Sequence, residues 1–290
     1  MTFTLLILAG GLGSRFNGTK QLHGIGPNGE LLMEYSIHDA IKNGCSKVVV
    51  LSNHKCIPEL KIKLSYLTSK IKVDYVDQFK FDPSYPKYRK KPWGTGHAVL
   101  SCAKFISEPF LLINADDFYG HDAYFKAKEM MGHIDFQNYG MIAYKLENTL
   151  SKFGGVSRGL CHTHDNELLD VKEHLGIKFH DKIITCDKKN VELDGTQLVS
   201  MNLWILNHSV FSHLKKAFDA FHNINKNNKS EELFLPAVIN DLIMNEHLSV
   251  RVNTTDASWL GLTYAEDLDQ VKASISSLIN RGEYPSNIEF

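Results

Sequence analysis

The sequence predicts an α/β protein, a three-layer α/β/α sandwich on a mixed sheet. Three observations point there. Short, continuous runs rich in β-branched residues alternate with helix-period patterns through the first half. The 290 residues are 43% hydrophobic, enough for a large core, and 22% charged, which excludes a disordered chain. Glycines and carboxylates fall where strand-like runs end, the place where open α/β sheets bind ligands.

The elements follow in order. Thr4 to Leu8 is an apolar run of strand length. Met33, Ile37, Ala40 and Ile41 recur on one face of a helix, and Gly44 offers its cap. Lys47 to Leu51 (KVVVL) and Ile71 to Val76 read as the next two strands. A glycine turn opens a helix over Ala98 to Phe105. Phe110 to Ile113 and Tyr139 to Tyr144 are the fourth and fifth strands. The second half is less regular, with strand-like stretches around Val171, Val191 and Leu198 and a polar loop over Asn223 to Lys229. Thr263 and Glu266 have capping-box spacing before a final helix striped by Tyr264, Leu268, Val271, Ile275 and Leu278. Neither a repeat nor a linker divides the chain, so residues 1–290 read as one domain, with halves 1–145 and 146–290.

Composition narrows the function. With 32 basic and 33 acidic residues the net charge is −1, which argues against a duplex-DNA binder and leaves small anionic ligands open. The five cysteines, Cys45, Cys56, Cys102, Cys161 and Cys186, form no C-x-x-C pair, so a reducing, cytoplasmic setting is expected. Nothing approaches the roughly 20 apolar residues of a membrane span, and the run Leu5 to Ala9 is too short for a signal peptide. Among 14 histidines, His162 and His164 form H-x-H, but no third metal ligand is placed by spacing.

The most informative segment is LAGGLGSRFNGTKQL, Leu8 to Leu22. A buried strand runs into Gly10, Gly11 and Gly13, which let backbone N–H groups approach phosphate oxygens. Arg15 adds a planar fork and Lys20 a point charge. A Walker A loop is absent. The dinucleotide fingerprint fails because Phe16 stands at the third glycine and the second strand ends at Ser52 and Asn53 without an acid, which disfavours an NAD(P) oxidoreductase. Two further blocks follow: KPWGTGHAVL, Lys91 to Leu100, and NADDFYG, Asn114 to Gly120.

GGLGSR followed by Lys20 resembles the signature of the sugar-1-phosphate nucleotidylyltransferases, or NDP-sugar pyrophosphorylases. GTGHA resembles the base-contacting block of N-acetylglucosamine-1-phosphate uridylyltransferase. Arg89 falls near the place of that enzyme's base-reading glutamine. The resemblance implies a Rossmann-like sheet of the nucleotide-diphospho-sugar transferase type. It implies nucleotide contacts from Leu8, Ala9, Gly10, Gly11, Gly13, Gly94, Thr95 and Asn114. It gives catalytic roles to Arg15, Lys20 and Asp116, with Asp116 holding Mg²⁺ and Asp117 beside it in the loop. Mg²⁺ suits such a place because it takes one or two carboxylates plus phosphate oxygens and water. Thr263 or Asp256 stands where a second ligand is expected. On the acceptor side SKFGGVSRG points to Gly154, DVKEH to Glu173, SMNLWIL to Asn202 and EELFLP to Glu232. His174 follows Glu173, where many relatives have lysine.

The activity so implied joins an NTP, with UTP or CTP expected, to a sugar-1-phosphate or similar phosphorylated small molecule, with release of pyrophosphate. Phosphocholine is an alternative acceptor, and a non-catalytic nucleotide-sugar-binding regulatory homologue an alternative role. No nucleic acid or membrane partner is expected, and a homo-oligomer is compatible with the resemblance.

Overall fold

A computed structural model describes residues 2–11, 20–81, 89, 91–180, 183–186 and 191–288. In chain order the strands are β1 (Phe3–Leu8), β2 (Cys45–Ser52), β3 (Lys72–Asp77), β4 (Phe110–Asn114), β5 (Asp117–Phe118) and β6 (Asn138–Lys145). They continue as β7 (Val156–His164), β8 (Glu167–His180), β9 (Ile183–Cys186), β10 (Val191–Leu193), β11 (Leu198–Leu206), β12 (Ser249–Thr254) and β13 (Leu260–Gly261). The helices are α1 (Leu32–Lys42), α2 (Ile57–Lys63), α3 (Gln78–Phe81), α4 (Thr95–Leu100), α5 (His121–Met131), α6 (Val210–Asn225), α7 (Leu235–Glu246) and α8 (Asp267–Asn280).

The main sheet has the order β10-β9-β8-β12-β6-β11-β4-β1-β2-β3, with β7 paired to β11 and β8. Strands β3, β2, β1 and β4 are mutually parallel. β11 runs antiparallel to both of its neighbours, β4 and β6. The sheet is therefore mixed, as the resemblance implies.

Alternation along each strand builds two cores. Leu5 and Ile7 of β1, with Val48 and Val50 of β2, face α1, α2 and α5. Leu6, Val49 and Leu51 point the other way, toward α4, α6 and α7. Burial on both faces explains why these strands read as continuous apolar runs, and it produces the three layers. α8 lies apart, packed with Leu262 and the C-terminal Tyr284 and Ile288 against Tyr35 of α1 and Phe118 of β5. Tyr284 is pinned there by its hydroxyl on Asp39 Oδ2, 2.5 Å away. His121 Nδ1 lies 2.9 Å from the other oxygen of Asp39.

The expected strands and the α1 pattern are present, and Gly44 sits just past α1 with φ of 99°. Three local expectations are corrected. α6 extends to Asn225, whose side-chain amide donates to the Phe221 carbonyl at 3.0 Å, and the loop begins later. α4 starts at Thr95, directly after Gly94, and residues 101–105 are turns. The final helix starts at Asp267, and Asp267 Oδ2, not a Thr263–Glu266 box, accepts the N–H groups of Thr263 (2.8 Å) and Tyr264 (2.7 Å). All five cysteines are free thiols. Among the described residues no helix is long and apolar enough to cross a membrane.

Candidate active site

The chain lays down β1, β2 and β3 on one side and then places β4 on the other side of β1. The crevice beyond the carboxyl ends of β1 and β4 is thus a topological switch point, the ligand-binding place of such sheets. Leu8 ends β1 and Asn114 ends β4, paired in register. A cleft of about 680 Å³ opens there, within the range of small-molecule sites. Its lining includes Thr95, Asn114, Asp116, Asp117, Arg158, Glu173, Asn202 and Thr263.

Asp116 occupies the turn after β4, and its carboxylate is ion-paired with the Lys20 ammonium. Lys20 also donates to the Leu262 carbonyl at 3.2 Å. The late segment reaches this point because β13 pairs with β5, Gly261 opposite Asp117, and Leu262 N–H donates to Asp116 O at 3.1 Å. Gly261 is required: a Cβ there would lie 2.1 Å from the Trp259 ring and 2.9 Å from an Asp117 oxygen.

Asp117 is 6% exposed. It accepts from Asn114 Nδ2 at 2.8 Å and from the Tyr119 hydroxyl at 3.3 Å. Burial, and then the neighbouring Asp116 carboxylate, push its pKa up to about 7. The network continues outward. Asn114 Oδ1 accepts from Asn202 Nδ2 at 2.7 Å, and Asn202 Oδ1 accepts from Trp204 Nε1 at 3.0 Å. Asn202 stands at φ of 62°, where the β11–β6 register breaks between Ser200 and Trp204.

The carboxylate pair fits Mg²⁺. Asp116 is partly exposed and faces the cleft, Asp117 backs it, and the repulsion between them is what a divalent cation would offset. Thr263 lines the cleft, whereas the side chain of Asp256 is 89% exposed and pairs with Lys145 at 3.5 Å, outside it. Among the described residues no cluster of three or more His, Cys, Asp or Glu is assembled.

The structure thus gathers Asn114, Asp116, Thr95, Glu173 and Asn202 around one cleft, with Lys20 on Asp116. Ala9 follows β1 and is not among the lining residues; its backbone is engaged, the N–H donating to Leu51 O at 2.7 Å and the carbonyl accepting from Gln21 (2.9 Å) and Ser52 (2.8 Å). Gly10 follows, closely covered by Gln78, whose Oε1 would be 2.8 Å from an added Cβ, and Gly11 is open. Gly13 and Arg15 lie outside the described residues. Gly94, at φ of 97°, backs onto the Leu233 main chain, and Thr95 Oγ1 accepts the N–H of Leu235 at 2.9 Å.

Three residues stand elsewhere than the sequence suggested. Arg89 does not face the cleft. Its guanidinium donates to the carbonyls of Lys91, Asn228, Pro92 and Glu231 and lies 3.5 Å from the Trp93 ring centre. Glu232 pairs with Lys91 at 3.0 Å and is not among the lining residues. Gly154 packs on the Tyr264 ring, and Gly159, opposite Glu173 across the β7–β8 ladder, is the glycine that lines the cleft.

Comparison with known proteins bears directly on this cleft. Residues 5–116, which run from β1 through Asp116, match the MobA-like NTP transferase domain. The matched segment ends at the aspartate that Lys20 holds. The whole chain shares its fold with the inositol-1-phosphate CTP transferase from T. maritima: TM-score 0.65, 18% identity, 95% of this chain and 96% of that one. It is equally similar to a putative glucose-1-phosphate thymidylyltransferase from Bacillus anthracis: TM-score 0.65, 13% identity, 94% and 95% covered. A UDP-glucose pyrophosphorylase complexed with UDP-glucose matches at TM-score 0.62, 18% identity, with 96% and 99% covered. At these identities the likeness is one of fold. No curated protein sequence matches the chain.

Proposed function

We propose that residues 1–290 act as one nucleotidyltransferase domain that couples a pyrimidine NTP to a phosphorylated polyol, a sugar-1-phosphate or a close analogue, and releases pyrophosphate. The observation that carries this reading is the Lys20–Asp116 pair at the switch point, in a cleft that Asn114, Arg158, Glu173 and Asn202 also line. Residues 1–145 supply the nucleotide side and 146–290 the acceptor side.

In this reading Gly10, Gly11 and Gly13 bring the backbone close to the triphosphate, and Arg15 takes charge from the leaving pyrophosphate. Asp116, with Thr263 nearby, would hold Mg²⁺, which when bound supplies charge neutralisation on the phosphates. Lys20 exchanges its contact with Asp116 for the α-phosphate, so the ion pair is the resting partner of both groups. The acceptor phosphate is already anionic and attacks the α-phosphorus in line, so no general base is needed. Catalysis is then positioning and charge stabilisation. Glu173 and Asn202 face the acceptor's hydroxyl groups.

The structural neighbours' printed substrates, inositol-1-phosphate and glucose-1-phosphate among them, support a polyol phosphate. The test is a matrix of four NTPs against sugar-1-phosphates, inositol phosphate and phosphocholine with Mg²⁺, read by pyrophosphate release. Turnover with a polyol phosphate is expected. Turnover with phosphocholine alone would overturn the acceptor class, and nucleotide-sugar binding without turnover would identify a regulatory homologue.

A further inference from the structure

Arg158 is the cation that the roles above leave unused. It sits on β7 at the cleft wall, 7% exposed. Its Nε donates to Thr149 Oγ1 at 3.2 Å, one Nη to the Ser157 carbonyl at 2.8 Å and the other to the Thr149 carbonyl. One face of the guanidinium covers the Trp259 ring at 4.5 Å. Every one of those oxygens is neutral, and among the described residues no carboxylate lies within ion-pairing distance of it. Asp117, Glu173 and Asp267 act on it only at longer range.

A buried guanidinium is normally retained with an anionic partner, because removal from water is costly and neutral oxygens offset little of it. Of its five N–H groups, three are used here. The hydrogen bonds to Thr149 and the stacking on the Trp259 ring hold the fork in one orientation at a residue that lines the cleft. The neighbouring groups on that wall, Ser157, Ser200, Asn202 and Asn240, are uncharged donors and acceptors of the kind that suit hydroxyl groups.

We propose that Arg158 is the anchor for the acceptor's phosphate: the dianion completes the charge balance of the buried guanidinium while the hydroxyl-bearing body meets Glu173 and the uncharged polar groups beside it. This rests on the nucleotidyl-transfer reading and adds to it the residue that selects phosphorylated over unphosphorylated acceptors.

The test compares equilibrium binding of glucose-1-phosphate and of glucose to the full chain, with CTP or UTP and Mg²⁺ binding measured in parallel. Wild type, Arg158→Lys and Arg158→Gln are used, and thermal melts report folding. A charge-assisted fork implies at least a tenfold loss of the preference for the phosphorylated sugar in both variants, with NTP binding retained. Arg158→Lys keeps the charge and serves if the glutamine variant does not fold. A guanidinium that only staples Thr149 would lower the melting temperature and leave the preference intact, which overturns the proposal while the enzymatic reading stands. A wild type that binds neither glucose-1-phosphate nor inositol phosphate would overturn both.

Discussion

Asn202 reaches from β11 to the end of β4 and donates its amide N–H to Asn114 Oδ1 at 2.7 Å. That bond fixes which way the Asn114 amide faces, so its own N–H points at Asp117. Asn202 holds this place at φ of 62°, a conformation that asparagine and glycine tolerate and most residues do not. Replacing it therefore separates two contributions. Asn202→Gly loses the hydrogen bonds alone, whereas Asn202→Ala also adds left-handed strain of about 1 kcal/mol. Urea unfolding is expected to rank wild type above glycine above alanine. An alanine variant as stable as the glycine one would mean that the backbone relaxes there.

Lys20 and Asp116 are placed to meet the reacting phosphates. Lys20→Ala and Asp116→Ala are each expected to lower turnover at least about a hundredfold, the size of losing one preorganised charge. The variants should fold, because both side chains are partly exposed. Pyrophosphate release by purified variants is the measurement. A folded Asp116→Ala protein with wild-type Mg²⁺-dependent turnover would remove that residue from the metal.

Asp117 gives the folded state a pH signature. Its pKa is raised to about 7 by burial and by Asp116, so the native protein ionises it less readily than the unfolded chain does. Stability from this group is full below pH 4 and declines as pH rises toward 7. The slope is at most about 1.4 kcal/mol per pH unit for one proton, levelling off above that. Asp117→Asn abolishes the slope. Its unfolding free energy relative to wild type should therefore be more favourable at pH 8 than at pH 5. The reverse order would show that Asp117 is held ionised.

The C-terminal clasp also loses stability as pH rises, through a different chemistry. Burial pushes Asp39 up, but hydrogen bonds from His121, His38 and Tyr284 outweigh it and hold the carboxylate below its usual range. The hydrogen bond to Asp39 raises His121 in turn. His121 therefore contributes stability that is full below its unfolded pKa of about 6.5 and lost as pH rises through the raised native value. The melting-temperature difference between wild type and His121→Ala should be larger at pH 6 than at pH 9. Hydrogen exchange of residues 281–288 should quicken over the same interval in the wild type.

Much of the framework is legible in the sequence because it is local. β1, β2 and β4 are buried on both faces, so their apolar runs stand out. Lys20 and Asp116 are marked by motifs that end those strands. What escapes is non-local. Arg158 looks like an exposed charge in SRG until Thr149 and Trp259 close over it. Arg89 and Glu232 look like ligand-facing charges, yet four carbonyls and Lys91 satisfy them. Asp267, rather than Glu266, reaches back to the segment ahead of α8, where its carboxylate accepts two N–H groups at once. Gln78 is signalled only by its place at the end of the third strand, and its contact with Gly10 depends on the β1–β2–β3 register.

β11 lies between β4 and β6, although about fifty residues separate β6 from β11 along the chain. On the ribosome, β4 and β6 emerge long before the strand that joins them, and neither can complete its ladder until Leu206 has left the exit tunnel. The centre of the sheet therefore closes late during synthesis, followed only by β12, which joins β6 to β8, and a nascent chain halted near residue 150 would expose unpaired inner edges of β4 and β6 to any chaperone in reach. Ribosome-bound chains of increasing length should become protease-resistant in one late step, after β11 and β12 are released, rather than in stages that follow the order of the strands.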